Sequence, residues 1–290
     1  MSIIIDKEAV AQLLKGFHIP PRPDVLCRFQ EERSKPVPNL QAIAEIVSSD
    51  PGLSAGVIKT INSPYFGLRR KIASIQEAIT ILGLANLDNI LTNIALIAAI
   101  GNKVPMDRFW DTATDVALIS RDLSRHITDI SENDAFTIGM FHDCGIALMM
   151  QRIPDYKAFL KKANTDLTHA LTQLEQERYQ TDHTTVGFLV ANSWNLPEHI
   201  CQVIQLHHDH RIFSAIPRPP EKVLTHIAIL KIASHLSHIN RRLEDGNDWM
   251  FMRQAVLDYL GISTAEFGEI VSDVRENTYT TPALWLHKFV

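Results

Sequence analysis

His142 and Asp143 stand side by side in the apolar run AFTIGMFHDCGIALMM, residues 135–150, where Asp143 is the only formal charge. The run is apolar nearly all round, so it reads as one buried helix. A lone buried carboxylate costs several kcal/mol unless it is paired, protonated or metal-bound. Something must therefore meet Asp143: a histidine or backbone N–H in the plain case, a metal ion in the other. Three further histidines bear on the choice. His183 falls on the helical face of Val186, Gly187, Val190 and Trp194, and so points inward. His207 and His208 end a helix whose apolar stripe, Ile200, Cys201, Val203 and Ile204, leads into them. Imidazole and carboxylate together suit Fe, Mn, Ni or Zn, and the cores of helical bundles commonly house such sites.

Elements that could position these groups are helical almost throughout. Apolar residues recur three and four apart, and no strictly alternating run is bounded by hairpin turns. Ser74 with Glu77 forms a capping box, and Asp50 with Pro51 an N-cap followed by an N1 proline. Asn39, Asp134 and Asp166 read as further N-caps, and Gly16, Gly83 and Gly101 as helix stops. About a dozen or more helices follow from these signals, and the fold class is all-α. Prolines 20, 21 and 23 set off a short N-terminal helix, the segment 213–220 sets off a C-terminal helical part, and a break near Gly101 to Pro105 divides the chain.

Composition narrows the functional classes. The 290 residues are 46% hydrophobic and 21% charged, with 28 Lys and Arg against 33 Asp and Glu, a net charge of −5. A chain of this size buries roughly 75% of its unfolded surface and needs no disulfide or metal staple to hold a core. The mild acidity argues against a broad nucleic-acid footprint. Cys27, Cys144 and Cys201 are odd in number and far apart, which indicates neither a disulfide framework nor a zinc knuckle. The N-terminus, with Asp6, Lys7 and Glu8, does not fit a signal peptide. The most apolar stretch, residues 90–100, falls short of the about 20 residues that span a bilayer. A cytoplasmic protein without membrane association is the expectation.

With the elements in view, the residues carry a resemblance. A buried His-Asp pair, an inward His and then a His-His pair resemble the HD superfamily of metal-dependent phosphohydrolases. The segments IPPRPDVLCRF, IVSSDPGLSAGVIKTINSPYFGLRRKIASIQEAITILGLANLDNIL and LPEHICQVIQLHHDH resemble the HDOD family, the HD-related output domain of bacterial signalling proteins. The likeness runs from about residue 18 to about residue 210. It implies an N-terminal helical subdomain over residues 1–104 and an HD-like helical bundle over residues 105–290. It also implies a metal set of His142, Asp143, His183, His207 and His208. Active HD enzymes add an upstream histidine and a late aspartate; here Thr112 and Ser234 stand at those positions, both on apolar helix faces and both expected to point inward. The metal site is therefore degenerate, with Asp111, Asp115 or His235 as neighbours that could replace a lost ligand.

The resemblance implies a stand-alone bacterial output or adaptor module, non-catalytic, acting through contacts with signalling proteins, with no receiver, GGDEF or EAL sequence fused to it. The alternative is a metal-dependent phosphohydrolase in which His142 and Asp143 are catalytic, acting on a nucleotide or cyclic dinucleotide. The cofactor in either case would be a divalent metal, and homodimerisation stays open. Other features read as structural. Arg121 and Arg125 lie on a solvated face. In the turn Asn62–Arg70, Asn62 and Gly67 shape the chain while Tyr65 and Phe66 plug a junction, although the basic groups Arg69, Arg70 and Lys71 leave binding open. Trp249, Met250, Phe251 and Met252 begin a late helix as core or dimer contact, and Trp285 and Phe289 suggest a docked C-terminal tail.

Overall fold

The computed structural model describes residues 19–63, 66–101, 104–127, 130–164, 166, 168–240 and 247–278. The short N-terminal helix, Gly16, Tyr65 and the tail with Trp285 and Phe289 lie outside the described residues. Within them there is no strand. The helices run α1 (Asp24–Arg33), α2 (Leu40–Ser48), α3 (Pro51–Ile61), α4 (Ile75–Ile100), α5 (Asp107–Ile127), α6 (Glu132–Phe141), α7 (Cys144–Arg152) and α8 (Tyr156–Ala163). They continue as α9 (Leu171–Tyr179), α10 (His183–Ser193), α11 (Glu198–Leu206), α12 (Glu221–Asn240), α13 (Asn247–Leu260) and α14 (Thr264–Thr278), with a 3-10 turn at Ile212–Ser214.

Local chemistry sets most of the boundaries. The side chains of Asn39, Asp50 and Ser74 each accept a backbone N–H at the start of α2, α3 and α4. Glu77 reaches back to the N–H of Ala73 and is held by Arg70 at 2.9 Å. Asp134 and Asp166 are not helix caps. Ser131 caps α6 through the Asp134 N–H, which frees the Asp134 carboxylate for long-range contacts, and Asp166 instead closes a turn with Thr168 and His169. Gly83, at φ 71°, breaks α4 into two helical stretches, and Gly101, at φ 82°, ends it. Asn62 bonds both the N–H and the C=O of Ile72 at 2.7 Å, so it shapes its turn as expected.

One continuous core runs from Leu26 to Phe267, so helices on both sides of residue 104 share it. α4 would be long and apolar enough to cross a membrane by length and composition. It is buried through much of its length, from Ile75 to Ile100, against α2, α3, α6 and α7. In the second half α5, α6 and α12 lie together, α7 packs on α10, and α10 on α11.

The run 135–150 is two helices, not one. α6 ends at Phe141 and α7 begins at Cys144, leaving His142 and Asp143 in the break. Close backbone packing accompanies the change of direction. A Cβ on Gly145 would lie 1.9 Å from the His183 carbonyl oxygen and 2.8 Å from the Gly187 N, so only glycine lets α7 approach α10 this closely.

Candidate metal centre

Four helix ends converge on Asp143. His142 closes the C-terminal end of α6, Asp143 precedes α7, His183 opens α10, and His207 and His208 follow α11. Asp143 does not use its side chain to cap α7. Its Oδ2 lies 3.2 Å from His142 Nε2, and its Oδ1 lies 3.4 Å from His207 Nε2 and 3.6 Å from His183 Nε2. Asp182 caps α10 by accepting the Thr185 N–H at 2.8 Å, which fixes the turn that carries His183.

The outer nitrogen of each ring is anchored. His142 Nδ1 donates to the Gly139 carbonyl at 2.8 Å, and His207 Nδ1 to the Ile204 carbonyl at 2.8 Å. His183 Nδ1 donates to Glu175 Oε2 at 2.6 Å, and the His183 backbone N–H bonds the same oxygen at 3.0 Å. Tyr156 Oη donates to the other Glu175 oxygen. His208 Nδ1 sits 2.6 Å from Asp248 Oδ2, a carboxylate that also meets Lys231 and, at 2.9 Å, His210 Nε2. Carbonyls and carboxylates behind the rings fix tautomer and orientation, the arrangement that metal-ligating histidines need. It leaves Nε2 of His142, His183 and His207 facing the carboxylate.

Electrostatics follow from burial and neighbours. Burial alone would raise the Asp143 carboxyl, but His142, His207 and His183 outweigh it and hold it well below the usual carboxylate range. Burial, with help from His208 and Lys231, pushes His207 well down, so its ring is neutral. His208 is lowered mainly by burial. His183 moves up, because Glu175 and Asp143 together overcome its burial. Asp248 is held well below its ordinary range, as His208 and Lys231 overcome burial. Asp143 Oδ1 and the Nε2 atoms of His183 and His207 are buried without a hydrogen-bond partner among the described residues. Such atoms are expensive unless something meets them. One donor each from Asp143, His183, His207 and His208 falls within 4.8 Å of the others, so these residues fit a divalent transition metal.

The structure brings together the five residues read as metal ligands, with His142 at the side of the four-donor set. Thr112 and Ser234, expected to point inward, are half-buried. The Thr112 hydroxyl donates to the carbonyl of Arg108, one turn back on α5. Asp111, Thr114 and Asp115 are buried as well as Val116, Ile119 and Leu123, so α5 is enclosed on most sides. His235 stacks on Trp249 at 4.5 Å, which takes its ring toward α13. Neither Asp111, Asp115 nor His235 belongs to a metal-competent group among the described residues. Arg121 is not on a solvated face: its side chain is 16% exposed and pairs with Asp122, while Arg125 reaches Glu132 at 2.6 Å. Trp249 and Met252 are buried, whereas Met250 and Phe251 are exposed.

Sequence reasoning missed Glu175, Tyr156, Lys231 and Asp248. Glu175 sits in the polar helix LTQLEQERY, where nothing separates it from its acidic neighbours, and yet it is fully buried. His210, in the HHDH tract, was the one signal that this end of α11 continues into a polar network.

Fold and site together define an all-helical HD-like protein. Residues 19–210 match the HDOD domain, and the chain belongs to that family. It is similar to a Shewanella amazonensis SB2B protein of known structure provisionally designated a phosphohydrolase, with 21% identity, TM-score 0.74 and coverage of 97% of this chain and 98% of that one. It is similar as well to a Marinobacter aquaeolei VT8 protein provisionally designated a signal transduction protein, with 18% identity, TM-score 0.69 and coverage of 96% and 65%. An uncharacterized Treponema pallidum (strain Nichols) protein is 23% identical over 218 residues, and the match spans 74% of this chain but 41% of that relative's length.

Proposed function

We propose that the chain is a signal-transduction output module in which Asp143, His183, His207 and His208 hold a divalent transition metal as part of its structure, without phosphoester turnover. The convergence of Asp143 Oδ1 with the Nε2 atoms of His183 and His207, none of which has a hydrogen-bond partner among the described residues, supports this reading. When bound, the ion supplies positive charge against Asp143. The residues do the rest: Glu175, Asp248 and the Ile204 carbonyl orient the rings, and the site ties the α6–α7 break to α10 and α11. A non-catalytic role is favoured because Thr112 and Ser234 bring neither imidazole nor carboxylate to the positions that active HD enzymes use. The partners on this reading are cytoplasmic signalling proteins, with a cyclic dinucleotide as a candidate effector.

A second reading, a metal-dependent phosphohydrolase, is favoured by one observation. The Asp143 side chain is 27% exposed, so the site is open to solvent on that side. Elemental analysis of untagged protein, with a phosphoester panel on the metal-loaded form, separates the two. Bound metal lost in Asp143→Asn, with no turnover, is the expected result. A ligand at about 100 times its dissociation constant should then raise stability by about 2.7 kcal/mol. Turnover abolished by His142→Ala or Asp143→Asn would replace this reading with the hydrolase. No metal, and no thermal shift with Mn, Fe, Ni or Zn, would leave the histidines as buried scaffold.

A further inference from the structure

A second group of chemistry-bearing side chains lies at the other end of α6 and takes no part in the centre described above. Asp134, in the first turn of α6, faces His199 from α11 and His226 and Lys222 from α12. His199 Nε2 lies 2.8 Å from Asp134 Oδ2, and Lys222 Nζ lies 2.9 Å from the same oxygen. The His199 and His226 rings have centroids 5.5 Å apart. His226 Nδ1 donates to the Lys222 carbonyl at 2.6 Å, so the neutral ring keeps its lone pair on Nε2. That Nε2 is buried without a hydrogen-bond partner among the described residues, and the residue is only 1% exposed. A buried nitrogen lone pair left unmet beside a carboxylate and a second imidazole is a costly arrangement for a purely structural cluster.

We propose that Asp134, His199 and His226, whose donor atoms all lie within 4.8 Å of one another, form a second metal site for a borderline divalent ion such as Zn2+, Ni2+ or Co2+. Two imidazoles and one carboxylate from three helices are a donor set these ions accept, and three protein ligands leave a position for solvent or a ligand. Asp134 lies in the first turn of α6 and Asp143 beyond its C-terminal end, and the ten residues of α6 span about 15 Å, so the two sites are separate. Asp134 also forms part of the wall of a cleft of about 900 Å3 that includes Arg22, Arg33, Asp88 and Asn133, which gives solvent a way in. Lys222 is the built-in competitor. Its ammonium occupies one Asp134 oxygen, but its side chain is 48% exposed and can swing into water when an ion arrives.

Calorimetric titration of the metal-free full chain with Zn2+, and visible absorption with Co2+, test the proposal. Asp134→Asn and His199→Gln change partly exposed residues and should fold; His226 is buried and its variant need not be relied on. The wild type should take one equivalent more than either variant, and Asp143→Asn should keep that equivalent with its Co2+ spectrum. Lys222→Gln, lacking the competitor, should bind about fivefold more tightly at this site. Equal stoichiometry and affinity in the wild type, Asp134→Asn and His199→Gln would overturn the proposal, whatever Asp143→Asn does. So would a single equivalent that is lost only in Asp143→Asn. Because the two sites are removed by different substitutions, failure here leaves the Asp143 reading standing, and the reverse holds.

Discussion

At the C-terminal end of α6 a carboxylate, Asp143, is met by three imidazoles; at the N-terminal end another, Asp134, is met by one imidazole and an ammonium group. Both carboxyls are depressed. Burial works against Asp134, but hydrogen bonds from His199 and Lys222 bring it to about 2. The sources of compensation differ. Lys222 carries a permanent charge, so the Asp134 group is balanced without help and its unmet atom is the His226 nitrogen. Imidazoles must be protonated to balance Asp143; burial keeps His207 from being so, and His183, which moves up, is shared with a second carboxylate, Glu175. The deeper site therefore depends on an added cation more than the shallower one, although it has more histidines. Counting ligands alone would rank the two ends correctly for the wrong reason; what separates them is which charge is already on hand.

The largest effect should come from the backbone that holds the deeper site. Gly145→Ala would place a Cβ against the His183 carbonyl and the Gly187 N, backbone atoms that cannot step aside as a side chain can. The loss should reach about 3 kcal/mol or more, or prevent folding, since overpacking of this kind costs typically 1–3 kcal/mol even where side chains give. Gly268→Ala in α14 is the control: a Cβ there meets nothing within 4 Å, and the change should stabilise by up to about 1 kcal/mol. Denaturant unfolding of both proteins checks the pair. A mild cost at Gly145 would mean that α7 can slide on α10, and that the Asp143 geometry is softer than its counterpart at Asp134.

Much of this was legible in the chain, and the part that was not has a common cause. The helical class followed from apolar spacing, and His142, Asp143, His183, His207 and His208 followed from polar residues placed on apolar faces. The break between α6 and α7 was not legible, because AFTIGMFHDCGIALMM has the pattern of one buried helix, and the close approach of Gly145 that accompanies the break is to a segment almost 40 residues away. Thr112 was placed inward by its spacing from Phe109 and Val116, yet Asp111 and Asp115 are the buried residues. Val116, Ile119 and Leu123 of that face are buried too, so α5 is enclosed on most sides and spacing alone does not pick out which of its polar residues lie deepest. Asp134 was read as a cap for a similar reason: a local role sufficed for the residue, and its true partners sit on α11 and α12.

Next in size is the residue behind His183. Glu175 accepts from Tyr156 Oη, the His183 N–H and His183 Nδ1, with no exposure to water. Glu175→Gln keeps the shape but sets an NH2 group against donors. Stability should fall by about 1–3 kcal/mol. Metal affinity at the Asp143 site should fall about 10–100-fold, as for other groups that orient a ligand from behind. The Asp134 site, which has no link to Glu175 among the described residues, should keep its affinity. A loss at both sites would show that the two ends of α6 act as one unit.

The smallest perturbation compares how tightly the two ends are closed, with cysteines as reporters. Cys144 adjoins Asp143 and is fully buried; burial and then the Asp143 charge push its thiol above the ordinary range. Cys201 lies on α11, two residues from His199, with its thiol pushed up to about 11, chiefly by burial. Cys27 is half-buried and lines the cleft. Because the thiolate is the reactive form, a buried thiol waits for a local opening before it is alkylated. Peptide mapping of the native protein under a slow alkylating reagent should find Cys27 modified first, Cys201 later, and Cys144 only as the whole chain unfolds. If Cys144 reacts before Cys201, the α6–α7 break opens more readily than the α11 end. The Asp143 cluster would then be the mobile end of the helix, with its histidines free to rearrange.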